Sequence, residues 1–282
     1  VGILLAVVLY VANAPGISSA TGLIQALSPQ SGGVPQNFEI LKGVVDSSDG
    51  LGRQEVHEQL LQFATQVAQL NAGDAQFTAE VATFARDRFL VFLEDHEGDA
   101  RLQVFIGSFL RQFGDYDGAV VHLTKAVELS PKKQLILFEL GTALMGKGDM
   151  VGALEVYKQA YDVAPTYEFS QMFYVVGALR VKDLALAESI LERHHGTVIV
   201  DNLTLLQGYL ETKMLDRAVL VAELRVTNDP RNLQKLQQLS GVYIEAGRRA
   251  DAISVLERAI ELDPSFKEQG TQFIEGIRQG TI

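Results

Sequence analysis

Residues 134–165 read QLILFELGTALMGKGDMVGALEVYKQAYDVAP, and the spacing inside this stretch decides the fold. Small side chains stand at Gly141, Ala153 and Ala160, and bulky ones at Leu144 and Tyr157. Small residues let two helices approach closely, and large ones fill the groove between them. The run Gly146-Lys147-Gly148-Asp149 makes the turn from the first helix to the second, and Pro165 stops the second where the chain must reverse. The same phase returns on both sides. Gly107, Ala119 and Ala126 precede Pro131, with Gly114-Asp115-Tyr116-Asp117-Gly118 at the turn; Ser240, Ala252 and Ala259 precede Pro264. Pro131 and Pro165 are 34 residues apart, as are Pro230 and Pro264, and the 65 from Pro165 to Pro230 fit one full unit and one shortened to 31. Units therefore fall at 100–133, 134–167, 168–198, 199–232 and 233–266. The third and fourth keep Ala187 and Ala218 but carry His194 and Arg225 in place of the second alanine.

This pattern, G-x-x-Y…A-x-x-x-F…P with a period of 34, resembles the tetratricopeptide repeat. The resemblance implies an all-α solenoid of helix-turn-helix units wound as a right-handed superhelix, each burying its apolar face only against its neighbours. Upstream, Gly52–Leu70 and Asp74–Glu94 read as a divergent helical pair within 37–99, and 267–282 reads as a C-terminal capping helix.

The totals narrow the function. A net charge of −11 argues against nucleic acid, whose phosphates need a clustered basic surface. With no cysteine, the chain has no disulfide, thiolate metal site or cysteine nucleophile. No Ser-His-Asp set, nucleophile elbow or phosphate loop occurs, so no catalytic residue, cofactor site or metal site is assigned. His194-His195 is a poor metal pair, because adjacent helical residues point about 100° apart. His57, His96 and His122 are scattered. Asp46-Ser47-Ser48-Asp49-Gly50 has the wrong offsets for a calcium loop and reads as a turn. The sequon Asn202-Leu203-Thr204 falls inside an expected helix.

Val1 to Ala12 (VGILLAVVLYVA) is an unbroken apolar run. A membrane span needs about 20 such residues, so three readings stand: the end of a transmembrane helix (1–14) that starts upstream, a signal-peptide remnant cut after Ala12-Asn13-Ala14, or a buried core helix. The first is preferred, since Pro15 would follow the cut directly and no basic region precedes it. No Lys or Arg occurs before Lys42, which places the repeats outside the cytoplasm. In the 15–36 segment, Ile17, Ala20, Ile24 and Leu27 fall at helical spacing and suit a short helix lying on a bilayer; Ser28–Gln36 reads as a flexible loop.

A concave surface lined by the first helix of each unit is the expected partner-binding face. By phase it presents Ser108 and Arg111; Phe138, Thr142 and Met145; Met172, Val176 and Leu179; Leu203, Gln207 and Leu210; then Gln237, Gly241 and Ile244. Its apolar middle suits a helix or an apolar peptide of a protein partner.

Shorter motifs carry a finer resemblance. Asn13, Leu23-Ile24-Gln25-Ala26-Leu27, Gly52-Arg53-Gln54-Glu55, Gln59-Leu60-Leu61-Gln62-Phe63-Ala64 and the tail Phe266-Lys267-Glu268-Gln269-Gly270 with Ile274 and Ile277-Arg278 resemble bacterial O-antigen ligase-related polytopic membrane proteins that end in such an array. This implies an accessory scaffold of a glycan-assembly protein, on the outer face of the bacterial cytoplasmic membrane, whose catalytic residues lie in a membrane part upstream. The alternative is a stand-alone membrane-anchored adaptor in envelope assembly or secretion.

Overall fold

The computed structural model describes residues 16–50, 52–70 and 74–282, which are helical almost throughout and contain no strand. The expectations for Val1–Ala12 and Asn13 concern residues outside those described. Within them, no helix is long and apolar enough to cross a membrane. The chain divides into two compact units between Asp149 and Met150.

Unit 1 holds α1 (residues 16–27), α2 (Gly33–Ser47), α3 (Arg53–Gln69), α4 (Ala75–Glu94), α5 (Ala100–Gln112), α6 (Tyr116–Leu129) and α7 (Gln134–Lys147). Consecutive helices from α2 to α7 pack as antiparallel neighbours. At α5 and α6 the approach is close: a Cβ added to Gly107 would lie 2.6 Å from Leu123 Cγ. Ala119 and Ala126 are fully buried on the facing helix. The N-terminal pair is built differently, from rings. Phe38 stacks on Phe63 at 6.2 Å and takes Phe77 and Phe84 edge-on at 5.8 and 5.6 Å. The stretch 28–36, expected as a flexible loop, is loop only as far as Gly32, because α2 already begins at Gly33. Pro35 costs nothing there, since the first-turn N–H groups have no intrahelical acceptor. The buried Asn37 amide also donates to the carbonyls of Ala26 and Ser28, fastening the end of α1.

Unit 2 holds α8 (Met150–Val163), α9 (Glu168–Arg180), α10 (Leu184–His195), α11 (Leu203–Glu211), α12 (Leu215–Asn228), α13 (Leu233–Glu245), α14 (Arg249–Leu262), a 3-10 turn (Pro264–Phe266) and α15 (Lys267–Gln279). Ala153, Ala160, Ala187, Ala218, Ala252 and Ala259 are all at 0% exposure, so every small second-helix position of this unit is a helix–helix contact. Where Ser240 stands in place of glycine, its hydroxyl donates across the pair to the Ala252 carbonyl at 3.3 Å. The degenerate repeats exchange a packed methyl for a paired polar head. His194 Nε2 lies 2.7 Å from the Tyr161 hydroxyl, and Arg225 meets Asp201 at 3.1 Å beside Lys235. Asn202, expected inside a helix, instead heads α11: its side chain accepts from the Leu205 N–H at 3.1 Å. A side-chain acceptor preceding a helix satisfies an orphan donor, which outweighs the apolar periodicity around it. Gly270, Ile274 and Ile277 bury α15 against the unit, and α14 is its main neighbour.

Candidate functional site

The candidate site is built on the first helices of the repeats. In unit 1, Ser108 and Arg111 on α5 are half-buried and both bond Glu139 of α7, at 3.0 and 3.1 Å. They form a polar rung between two repeats. Thr142 donates to the Phe138 carbonyl at 2.8 Å, and Met145 is half-buried nearby on the same helix. Phe138 itself is 8% exposed.

In unit 2 the α9 residues expected on the face, Met172, Val176 and Leu179, are 2%, 7% and 2% exposed. For Val176 and Leu179 the cause is the close approach of α11. A Cβ on Gly208 would lie 2.9 Å from Val176 Cγ2 and 3.4 Å from Leu179 Cδ1, so the missing side chain draws α11 onto these residues. Phe138 on α7, and Met172, Val176 and Leu179 on α9, are thus among the buried residues of their units. Both α7 and α9 are apolar around most of their circumference, and such helices hide which stripe faces solvent. Leu203 (41% exposed) and Gln207 remain open on α11, with Leu210 half-buried below them.

The opening lies one repeat further on. Gln237, Gly241 and Ile244 of α13 form one wall of a cavity of about 250 Å³, and Gln269 and Phe273 of α15 form the other. Gly241 makes this space: a Cβ there would meet nothing within 4 Å. Phe273 is 40% exposed although α15 buries its neighbour Ile274. The wall is held firmly. The Tyr243 hydroxyl donates to Glu223 at 2.7 Å under the Arg248 guanidinium, and burial together with that carboxylate pushes its pKa up to about 12. The cavity is mainly apolar with two amide groups at its edge, chemistry that suits one or two apolar side chains on a peptide backbone. Sequence phase named the α13 wall; it missed Gln269 and Phe273. Their signal was a ring standing one residue off the buried Gly270-Ile274-Ile277 stripe.

Two larger depressions in unit 1, about 450 and 410 Å³, each include a polar group engaged by a neighbour. His122 bonds Gln103 at 2.8 Å in the first, and Asn37 is engaged by α1 in the second. Among the described residues, no group of three or more His, Asp or Glu side chains is arranged to hold a metal ion.

Residues 106–168 match one tetratricopeptide repeat model and residues 236–266 match a second. Over these two stretches the helical pairs match the tetratricopeptide repeat, and the described residues form an all-helical solenoid of that kind. Among solved structures, the chain is similar to MamA 41-end from Desulfovibrio magneticus RS-1, at 19% identity and TM-score 0.41, over 59% of this chain and 96% of that one. It is similar to YrrB, described as a TPR protein with an unusual peptide-binding site, at 17% identity and TM-score 0.38, over 62% and 92%. A tetratricopeptide repeat protein from Parabacteroides merdae ATCC 43184 covers 78% of this chain and 88% of its own, at 14% identity and TM-score 0.49. No curated protein matches the sequence.

Proposed function

We propose that this chain is a binding scaffold rather than an enzyme, and that it takes a short segment of a protein partner at the unit 2 cavity. The observation that carries this is the open space beside Gly241, walled by Ile244 and Phe273 and edged by two glutamine amides. An apolar side chain of the partner fills the space, and the Gln237 and Gln269 amides bond its backbone. Leu203, Gln207 and Leu210 continue the contact one repeat earlier. In unit 1, Ser108, Arg111, Thr142 and Met145 offer a separate, more polar face. Repeat arrays use such first-helix surfaces for recognition.

Gly241→Leu tests it. The new side chain starts from a Cβ with no neighbour within 4 Å and extends into the cavity, so the fold is expected to be kept. Full-length chain in detergent is used to capture partners from envelope extract, wild type beside Gly241→Leu. A partner held by the wild type and lost by the still-helical variant supports the cavity as the site. Equal capture by both puts the site elsewhere.

The scaffold is held at the bacterial cytoplasmic membrane by Val1–Ala12, with the repeats on the extracytoplasmic side. The absence of Lys and Arg before Lys42 supports that orientation. In its finer form the chain serves an O-antigen ligase-related glycan-assembly protein as its accessory array, a reading supported by the motifs around Leu23–Leu27 and Gly52–Ala64. The second reading is a stand-alone membrane-anchored adaptor. The sequence encoded upstream of Val1 separates them: a series of further spans favours the first, and a lone span the second.

A further inference from the structure

Helix α1 has three stripes. Ser19, Leu23 and Ala26 are buried on unit 1, and the backbone of α1 is seated there by close contacts: a Cβ on Gly22 would lie 2.7 Å from Val44 Cγ2, and one on Gly52 would lie 3.2 Å from Ser19 Cβ. Ser18, Thr21 and Gln25 make an exposed polar stripe. Between these two, Ile17, Ala20, Ile24 and Leu27 form an exposed apolar stripe, with Ile17 at 62%, Ile24 at 69% and Leu27 at 45% exposure. A helix whose only job is to cap unit 1 needs the first stripe alone. The third leaves branched aliphatic side chains in water on a helix already docked by its other side.

The chain around α1 specifies what covers that stripe. The apolar run Val1–Ala12 leads directly into it, and no charged residue occurs before Glu39. A charge near hydrocarbon is costly, and this segment carries none. An apolar stripe bordered by uncharged hydroxyl and amide groups fits the boundary between acyl chains and headgroups. We propose that α1 lies on the bilayer, its Ile17–Ala20–Ile24–Leu27 stripe in the acyl boundary and its Ser19–Leu23–Ala26 stripe on unit 1. The helix then fixes which side of unit 1 faces the membrane, so that the unit is docked on the bilayer rather than tethered loosely to it. This rests on the membrane attachment proposed above.

The chain contains no tryptophan, so Ile24→Trp introduces a single indole on the stripe, and Val121→Trp, at a 67% exposed site of unit 1, places one away from it. Each full-length variant is reconstituted with phosphatidylcholine vesicles, with or without acyl-brominated lipid, and floated on a density gradient. Docking predicts that both variants float. Brominated lipid should then at least about halve the Ile24→Trp emission, as expected for a side chain a few ångströms into the acyl boundary, and leave Val121→Trp unchanged. Flotation without quenching of Ile24→Trp keeps the membrane attachment and overturns the docking of α1. Failure to float overturns both. A blue-shifted Ile24→Trp emission that needs no lipid and grows with protein concentration puts a second copy on the stripe, and also overturns the proposal.

Discussion

At Lys182 and Lys213 the backbone adopts φ of 64° and 59°, the left-handed region that side chains with a Cβ rarely enter. The other repeats place Gly114, Gly148 and Gly247 in this conformation at the same turn, with φ of 82°, 91° and 73°. The turn between paired helices thus demands a left-handed residue, and the degenerate repeats meet the demand with strain. Lys182→Gly should raise unfolding stability by about 0.5–1 kcal/mol in urea denaturation. A decrease would mean that the lysine contributes more than its backbone costs. The histidines bear on stability at the same scale. Burial holds His57, His122 and His194 below the ordinary value of 6.5, because the charged ring loses water. The unfolded chain therefore takes up protons first as pH falls. Their contribution is complete above pH 6.5 and is lost progressively below it, so the melting temperature should decline on acidification from neutral pH. His57→Phe, which keeps the stack on Phe92, should flatten part of that decline. An unchanged pH profile would remove His57 from this account. Neither the strained lysines nor the buried rings were visible in the sequence, where a Lys at a turn and a His on a helix look like ordinary surface residues.

At the scale of the element, the small residues are the decisive ones. Ala153 is fully buried where α8 meets its neighbours in unit 2. Ala153→Arg should cost more than about 3 kcal/mol, since a long charged side chain has no room and no partner there. A melting temperature equal to the wild type would show the repeat register to be wrong. Gly241→Leu should act in the opposite sense. It sits inside α13 with open space at its Cβ, so gaining a good helix former should stabilise by about 0.5–1 kcal/mol while blocking the cavity. A large loss of stability in thermal denaturation would show the cavity to be part of the packing instead. Helix identity was legible from phase, but the exposed stripe was not. On α13 the phase left Gly241 facing open space, whereas on α9 the same positions are buried under α11, drawn in by Gly208.

For the whole molecule, repeat stacking makes coupling local. In unit 2, α8 packs on α9, α9 on α10 and α11, and α13 on α14, with no element in contact with all the others. Stability then spreads through nearest neighbours. Hydrogen exchange of Ala153→Arg should accelerate most in α8 and α9 and least in α14 and α15. Uniform acceleration across unit 2 would indicate a single all-or-none core in place of a stack.

The helical fold, the 34-residue period and the small-residue contacts were determined by the sequence alone, because they are local and repeat: Gly107, Ala153 and Ala252 report their role by recurring in phase. What only the tertiary structure decided is which of those phased residues still meet water. Val176 and Gly241 hold comparable positions on their helices, yet one is 7% exposed and the other opens a cavity, since α11 closes on Val176 while a Cβ at Gly241 would meet nothing within 4 Å. Burial depends on what the neighbouring repeat brings near: Gly208 lets α11 close on Val176, whereas Phe273 walls the space left beside Gly241.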